Sequence, residues 1–154
     1  MSNVAQKIIV IAGPTATGKT SLAVTIAKEY SGEVISADSR QVYRGLDIGS
    51  AKVTKEEMQG VSHHLLDVAD PTDVFTVSDF VKQGITAITT VIDNEHLPII
   101  CGGTGFYIDS LIYDNELPKV PANKILRKQL EKHSSAELHD MLNEKDARRA
   151  QEID

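Results

Sequence analysis

The sequence predicts a doubly wound α/β fold, a parallel sheet with helices on both faces, and three observations predict it. A continuous apolar run rich in β-branched residues reaches Ala12 and passes straight into a glycine-rich turn. Helical spacing of apolar residues follows that turn and leads into a second short apolar strand. Near residue 100 the arrangement returns, an apolar strand running into a second glycine turn.

Taken in order, Lys7-Ile8-Ile9-Val10-Ile11-Ala12 is the first strand, and its unbroken apolar character predicts burial on both faces. Ser21 to Lys28 carries helical spacing, and Ser31-Gly32 closes that helix before the strand Glu33-Val34-Ile35-Ser36, completing a βαβ unit. Val77, Phe80, Val81, Ile85, Ile88, Val91 and Ile92 mark one apolar face of a second helix. Thr76 is placed to cap its first turn and Asp79 to favour its positive end. The turn-like Asp93-Asn94-Glu95-His96 leads into the strand Leu97 to Cys101 and then the turn Gly102-Gly103-Thr104-Gly105. From Ala122 onward the sequence is helical and charged, so a core over 1–118 and a helical segment over 119–154 are expected. Ligands of such sheets bind beyond the carboxyl ends of the strands, where both glycine turns lie.

A chain of 154 residues can bury one sizeable core. It has no unbroken apolar run of the roughly 18 residues a transmembrane helix requires, and no basic-then-apolar leader, so a cytoplasmic protein without a membrane partner is expected. The single cysteine, Cys101, lies in an apolar run and reads as a core residue. Net charge is −6, which argues against nonspecific coating of nucleic acid. Residues 1–118 hold 8 basic against 15 acidic side chains, a balance of −7, whereas 119–154 hold 8 against 7, a balance of +1. An RNA backbone would be tolerated best by the second segment.

Gly13-Pro14-Thr15-Ala16-Thr17-Gly18-Lys19-Thr20 matches the P-loop pattern G-x-x-x-x-G-K-[ST] in full, between a strand and a helix. Small residues let backbone N–H groups converge on phosphate oxygens, and the helix dipole favours the anion. Lys19 adds a positive charge, and the Thr20 hydroxyl is placed to ligate Mg²⁺ bridging the phosphates. The fold expected is therefore P-loop NTPase-like, but a P-loop names the anion and not the reaction. Ser36-Ala37-Asp38-Ser39-Arg40-Gln41-Val42-Tyr43 follows the second strand, close to that loop. Asp38 can act as a general base or hold magnesium through water, Gln41 can read a base edge, and Arg40 can meet an RNA or donor phosphate. A polar loop with an Asp-Ser turn explains the same residues. Gly102 to Gly105 permits close backbone approach, with Thr104 offering a hydroxyl, although a tight strand-to-helix connection accounts for it equally. Adjacent residues on a strand face opposite ways, so His63-His64 cannot chelate one ion. One imidazole is expected under the sheet and the other hydrogen-bonded to a neighbour such as Asp67.

Together, Gly13 to Thr20, Ser36 to Tyr43, His63-His64-Leu65-Leu66-Asp67 and Gly102-Gly103-Thr104-Gly105-Phe106-Tyr107 resemble the tRNA dimethylallyltransferase family. The resemblance implies transfer of a dimethylallyl group from dimethylallyl diphosphate to the exocyclic amine of the adenine 3′ of the tRNA anticodon. It implies that the P-loop, commonly read as ATP-binding, holds the donor's pyrophosphate, and that Asp38 is the general base. Asp38, Ser39, Arg40 and Gln41 would contact the flipped-out base, Thr104 would sit between donor and acceptor, and Arg127 would touch tRNA. A monomer is expected. Such enzymes are longer, with a further arginine near the donor and a helical insertion gripping the anticodon stem. The resemblance thus covers roughly the N-terminal half, and weak or absent turnover is expected of this chain alone. Two alternatives remain, a small P-loop kinase and a non-catalytic nucleotide- or tRNA-binding fragment. Against the kinase stands the scarcity of arginine, since Arg40, Arg44, Arg127, Arg148 and Arg149 leave none between residues 45 and 126.

Overall fold

Four parallel strands, β1 (Ile9–Ala12), β2 (Gly32–Ser36), β3 (His63–His64) and β4 (Leu97–Gly102), stand in the order β1-β4-β2-β3. The computed structural model describes residues 7–113, 120 and 123–153. Two units divide the chain, Met1–Leu117, which holds the sheet, and Pro118–Asp154, which is helical.

Side chains of successive strand residues point to opposite faces, and the sheet is covered accordingly. On one face α1 (Lys19–Glu29) packs Ala23 and Ala27 against Val34, Ile99 and Cys101. On the other, α3 (Val77–Asp93) and α4 (Gly105–Ile112) bring Phe80, Ala87, Tyr107 and Ile108 onto Ile35 and Ile100. The rings of Phe80 and Tyr107 stack with centroids 4.2 Å apart, fixing the two helices to each other. A doubly wound α/β fold is what the sequence predicts. One detail differs. β1 is not buried on both faces: Ile9 and Ile11 pack with the α1-face cluster, whereas Val10 on the opposite face is 39% exposed. An apolar run records that a strand suits a core, not how many faces are covered.

Chain turns follow their local chemistry. Thr76 and Asp79 form a reciprocal cap on α3, with Asp79 N–H donating to Thr76 Oγ1 at 3.2 Å and Thr76 N–H to Asp79 Oδ2 at 2.9 Å. After α1 the left-handed residue is Ser31, with φ of 50°, while Gly32 opens β2. Glycine is needed there for space, since a Cβ would lie 2.9 Å from the Leu97 carbonyl oxygen. The sequence also hides a short helix, α2 (Lys55–Met58), capped by Thr54 and Glu57. In the second unit, α5 (Lys124–Leu130), α6 (Ser135–Lys145) and α7 (Ala147–Glu152) are capped by Asn123, Ser134 and Asp146.

The paired histidines take positions set by register. His63 lies opposite Val34, on the α1 face, and His64 opposite Ile35, on the α3 face. Glu33 shares the α3 face, so His64 Nε2 meets Glu33 Oε2 at 2.6 Å, and His96 Nδ1 meets Glu33 Oε1 at 2.6 Å. The expected partner, Asp67, is instead bound to Lys52. Its correction has a simple cause, because the parallel register of β2 and β3 was not readable from spacing. Burial alone would push the Glu33 carboxyl up, but the hydrogen bonds and charges of His96 and His64 outweigh it and hold the group below its ordinary value. Glu33 thus contributes stability that is full above the ordinary carboxylate range and lost as pH falls through its lowered value. Glu33→Gln should lower unfolding free energy by about 1–3 kcal/mol at neutral pH. In denaturant titrations that gap from the parent should close as the solution is acidified below the carboxylate range.

Candidate active site

The P-loop leaves β1 and returns as α1, with Gly18 at the cap in a left-handed conformation, φ 80°. Ala16 adopts φ 62°, a region that non-glycine residues enter at a cost, so the loop is held in shape by its surroundings. Part of that support is visible. Thr17 Oγ1 donates to the Pro14 carbonyl at 2.9 Å, Lys19 Nζ donates to the same oxygen, and Ser21 Oγ donates to Gly18 O at 2.8 Å. Lys19 is thereby parked over the loop it serves. Thr20 lines the cleft, and among the described residues its hydroxyl has no protein partner.

Beside it stands the loop after β2. Ala37 N–H donates to Cys101 O at 2.9 Å, Thr104 N–H donates to Ala37 O at 3.1 Å, and Ser39 N–H donates to Thr104 Oγ1 at 3.0 Å. This sewing brings β4 so close that a Cβ on Gly102 would fall 2.1 Å from the Ala37 carbonyl oxygen. A Cβ on Gly103 would fall 3.4 Å from the Gly13 carbonyl oxygen, so the two glycine turns adjoin. Asp38 Oδ1 accepts from Arg40 N–H at 2.8 Å and Gln41 N–H at 3.3 Å. One carboxylate oxygen therefore shapes the loop, and among the described residues the other, Oδ2, is left without a partner.

These loops enclose a cleft of about 460 Å³. Residues 15–20 of the P-loop, Asp38, Arg40 and Gln41 all line it. Ser39 and Thr104 do not; Thr104 Oγ1 accepts from Ser39 N–H and so braces the loop that carries Asp38. Arg127 belongs to the second unit, where it lines an apolar groove with Leu126, Leu130 and Leu138. Several lining residues carry no sequence signal, including Ser50 and Ala51 from the loop before α2, and Glu57; His63, noted in the sequence only for its pairing with His64, lines it too. His63 is half-buried with Nδ1 3.0 Å from Val61 O, and its Nε2 is enclosed without a hydrogen-bond partner. Burial pushes its pKa down and His64 adds to the effect, against the opposing hydrogen bond to Val61. Burial also pushes the Cys101 thiol up, which suits a core residue and not a nucleophile.

Among the described residues no group of three or more His, Cys, Asp or Glu side chains could hold a metal ion. Any cation in the cleft would depend on oxygen donors such as Thr20, on the ligand's own phosphates and on water, which is the habit of Mg²⁺. Residues of the P-loop and Asp38 line one cavity at the carboxyl ends of parallel strands. The class this defines is a P-loop α/β protein with a carboxylate beside the phosphate-loop motif.

Similarity to known proteins narrows the class. The family model described as IPP transferase matches residues 41–154, and the chain belongs to that family. A tRNA dimethylallyltransferase of Exiguobacterium sibiricum is 50% identical over 99% of this chain and 50% of its own length. One from Staphylococcus carnosus is 48% identical over 95% of this chain and 48% of its own. Among solved structures, the tRNA isopentenylpyrophosphate transferase of Bacillus halodurans superposes with a TM-score of 0.73 at 42% identity, over 97% of this chain and 50% of that one. A eukaryotic dimethylallyltransferase acting on tRNA gives 0.86 at 28% identity, over 97% and 38%. The chain spans about half the length of the curated relatives it matches.

Gly102→Ala should drive a methyl group into the Ala37 carbonyl and separate the two loops. A loss of about 1–3 kcal/mol in unfolding free energy is expected, measurable by urea denaturation.

Proposed function

We propose that this chain supplies the donor-binding and catalytic part of an enzyme that prenylates tRNA. The reaction transfers a dimethylallyl group from dimethylallyl diphosphate to the exocyclic amine of the adenosine 3′ of the anticodon, releasing diphosphate. What supports the reading most directly is the free Oδ2 of Asp38 in the same cleft as the P-loop. Membership of the IPP transferase family and the printed functions of the similar proteins agree with it.

The chemistry assigns each residue a task. As the allylic carbon–oxygen bond breaks, negative charge grows on the leaving diphosphate, and the amides of Gly13 to Thr20 with the Lys19 ammonium stabilise it. Lys19 must leave the Pro14 carbonyl to do so. Mg²⁺ held through Thr20 would add positive charge to the same oxygens. The adenine nitrogen bonds to the allylic carbon, and its proton passes to Asp38. Ser39, Arg40 and Gln41 bind the extruded adenosine and its backbone, with Thr104 fixing Ser39 from behind. Removing a base from its stack costs a few kcal/mol, least for an unpaired loop base, and contacts in the cleft repay it. Arg127 contacts the tRNA from the second unit. The enzyme works as a monomer in the cytoplasm, and full turnover requires the length that relatives have beyond this chain.

A phosphoryl-transfer reading fits less well, because residues 45–126 contain no arginine to stabilise a transferring phosphoryl group. Complete enzyme incubated with unmodified tRNA and dimethylallyl diphosphate should yield prenylated adenosine on nuclease digestion without consuming ATP. Labelled phosphate appearing on an acceptor would overturn the assignment. Asp38→Asn should leave donor affinity nearly unchanged while lowering kcat about 10²–10⁴-fold, as loss of a general base does. Lys19→Ala should weaken dimethylallyl diphosphate binding about 10- to 100-fold by calorimetric titration, as expected for a lost charge-assisted contact.

A further inference from the structure

Lys52 is a buried ammonium outside every motif of the sequence, with its side chain only 6% exposed. Nζ donates to three acceptors, Tyr43 O at 2.7 Å, Asp47 Oδ1 at 2.8 Å and Asp67 Oδ1 at 2.5 Å. It therefore ties the two ends of the β2–α2 connection to each other and to the loop after β3. Burial would push its pKa down, but Asp47 and Asp67 outweigh that and raise it, so the group stays charged. Gln41 sits at the centre of this knot. Its carbonyl oxygen accepts from Asp67 N–H at 3.3 Å, and its side-chain Nε2 donates to Ala51 O at 3.2 Å and, more weakly, to Ser50 O at 3.5 Å. Both of those partners are carbonyl oxygens, so only the NH₂ end of the amide can face them. The Oε1 end has no donor among the described residues, and Gln41 lines the cleft.

We propose that Lys52 is a positioning residue that fixes the polarity of the cleft wall, locking Gln41 with its NH₂ on the loop and its Oε1 toward the ligand, so that the site selects an acceptor offering an N–H. The inference rests on the transferase reading and names how that site recognises an amine. Without the ammonium, Asp47 and Asp67 lose the cation they share, the Tyr43 carbonyl loses its donor, and the loop that holds the Gln41 amide is released. Gln41 can then turn either end outward, and preference for a donor disappears.

Binding of two anticodon stem-loop RNAs to the complete enzyme, in the presence of pyrophosphate, tests this. One carries adenosine 3′ of the anticodon, the other purine riboside, which lacks the amine. The parent should favour adenosine, and Lys52→Met should shrink that ratio by on the order of tenfold, the worth of one buried hydrogen bond. Its affinity for dimethylallyl diphosphate should stay the same, and Lys52→Arg should restore part of the ratio. Should Lys52→Met fail to fold, Asp67→Asn removes one of the two carboxylates that hold Lys52 and should shrink the ratio in the same direction. A working parent enzyme whose ratio is matched by the folded variant overturns the inference alone. A parent that transfers no prenyl group overturns the transferase reading and the inference with it.

Discussion

The close approach of three loops at the carboxyl end of the sheet is the constraint on which the cleft depends. Gly102 has no Cβ, so the backbone of β4 can lie against the Ala37 carbonyl, and the loop after β2 hangs from β4 through hydrogen bonds at Ala37, Ser39 and Thr104. Gly103 brings the same turn beside Gly13 of the P-loop. A carboxylate and a phosphate cradle from separate βα connections thus come to line one cavity without any covalent link between them. Backbone hydrogen bonds and missing side chains accomplish this, which is cheaper than packing and far less tolerant of added atoms.

Buried charge inside the first unit is shared among several partners at a time. Glu33 is enclosed at the amino end of β2 with two imidazoles, and Lys52 is enclosed near the cleft with two carboxylates and a carbonyl. Each would be costly alone, since a buried ion must find partners or lose its charge. Their placement differs in consequence. The Glu33 cluster holds the two-residue strand β3 to the sheet, whereas Lys52 fixes loops that line the cleft.

Much of this was legible in advance. The P-loop declares itself by spacing alone, because converging amides demand glycine and small residues at fixed positions, and the α3 cap declares itself because Thr76 and Asp79 act across three residues. Lys52 left no such mark. Its partner Asp67 lies in another loop, and no local pattern encodes a pairing between distant loops. Thr104 was singled out as a hydroxyl at the cleft mouth, and its hydrogen bond from Ser39 N–H, across 65 residues of chain, is one that its neighbours in sequence could not reveal.

By itself the sequence determined the alternation of strands and helices, the phosphate loop and the family resemblance, because each is written in short-range periodicity, composition or contiguous motif. Only the tertiary structure decided that β1 stands at the edge of the described sheet, that His64 meets Glu33, and that Gln41 turns its amide NH₂ to the Ala51 carbonyl. The physical reason is common to all three. Strand order, register and the orientation of an amide are fixed by which distant segments meet, and that choice is made by the packing of the whole sheet.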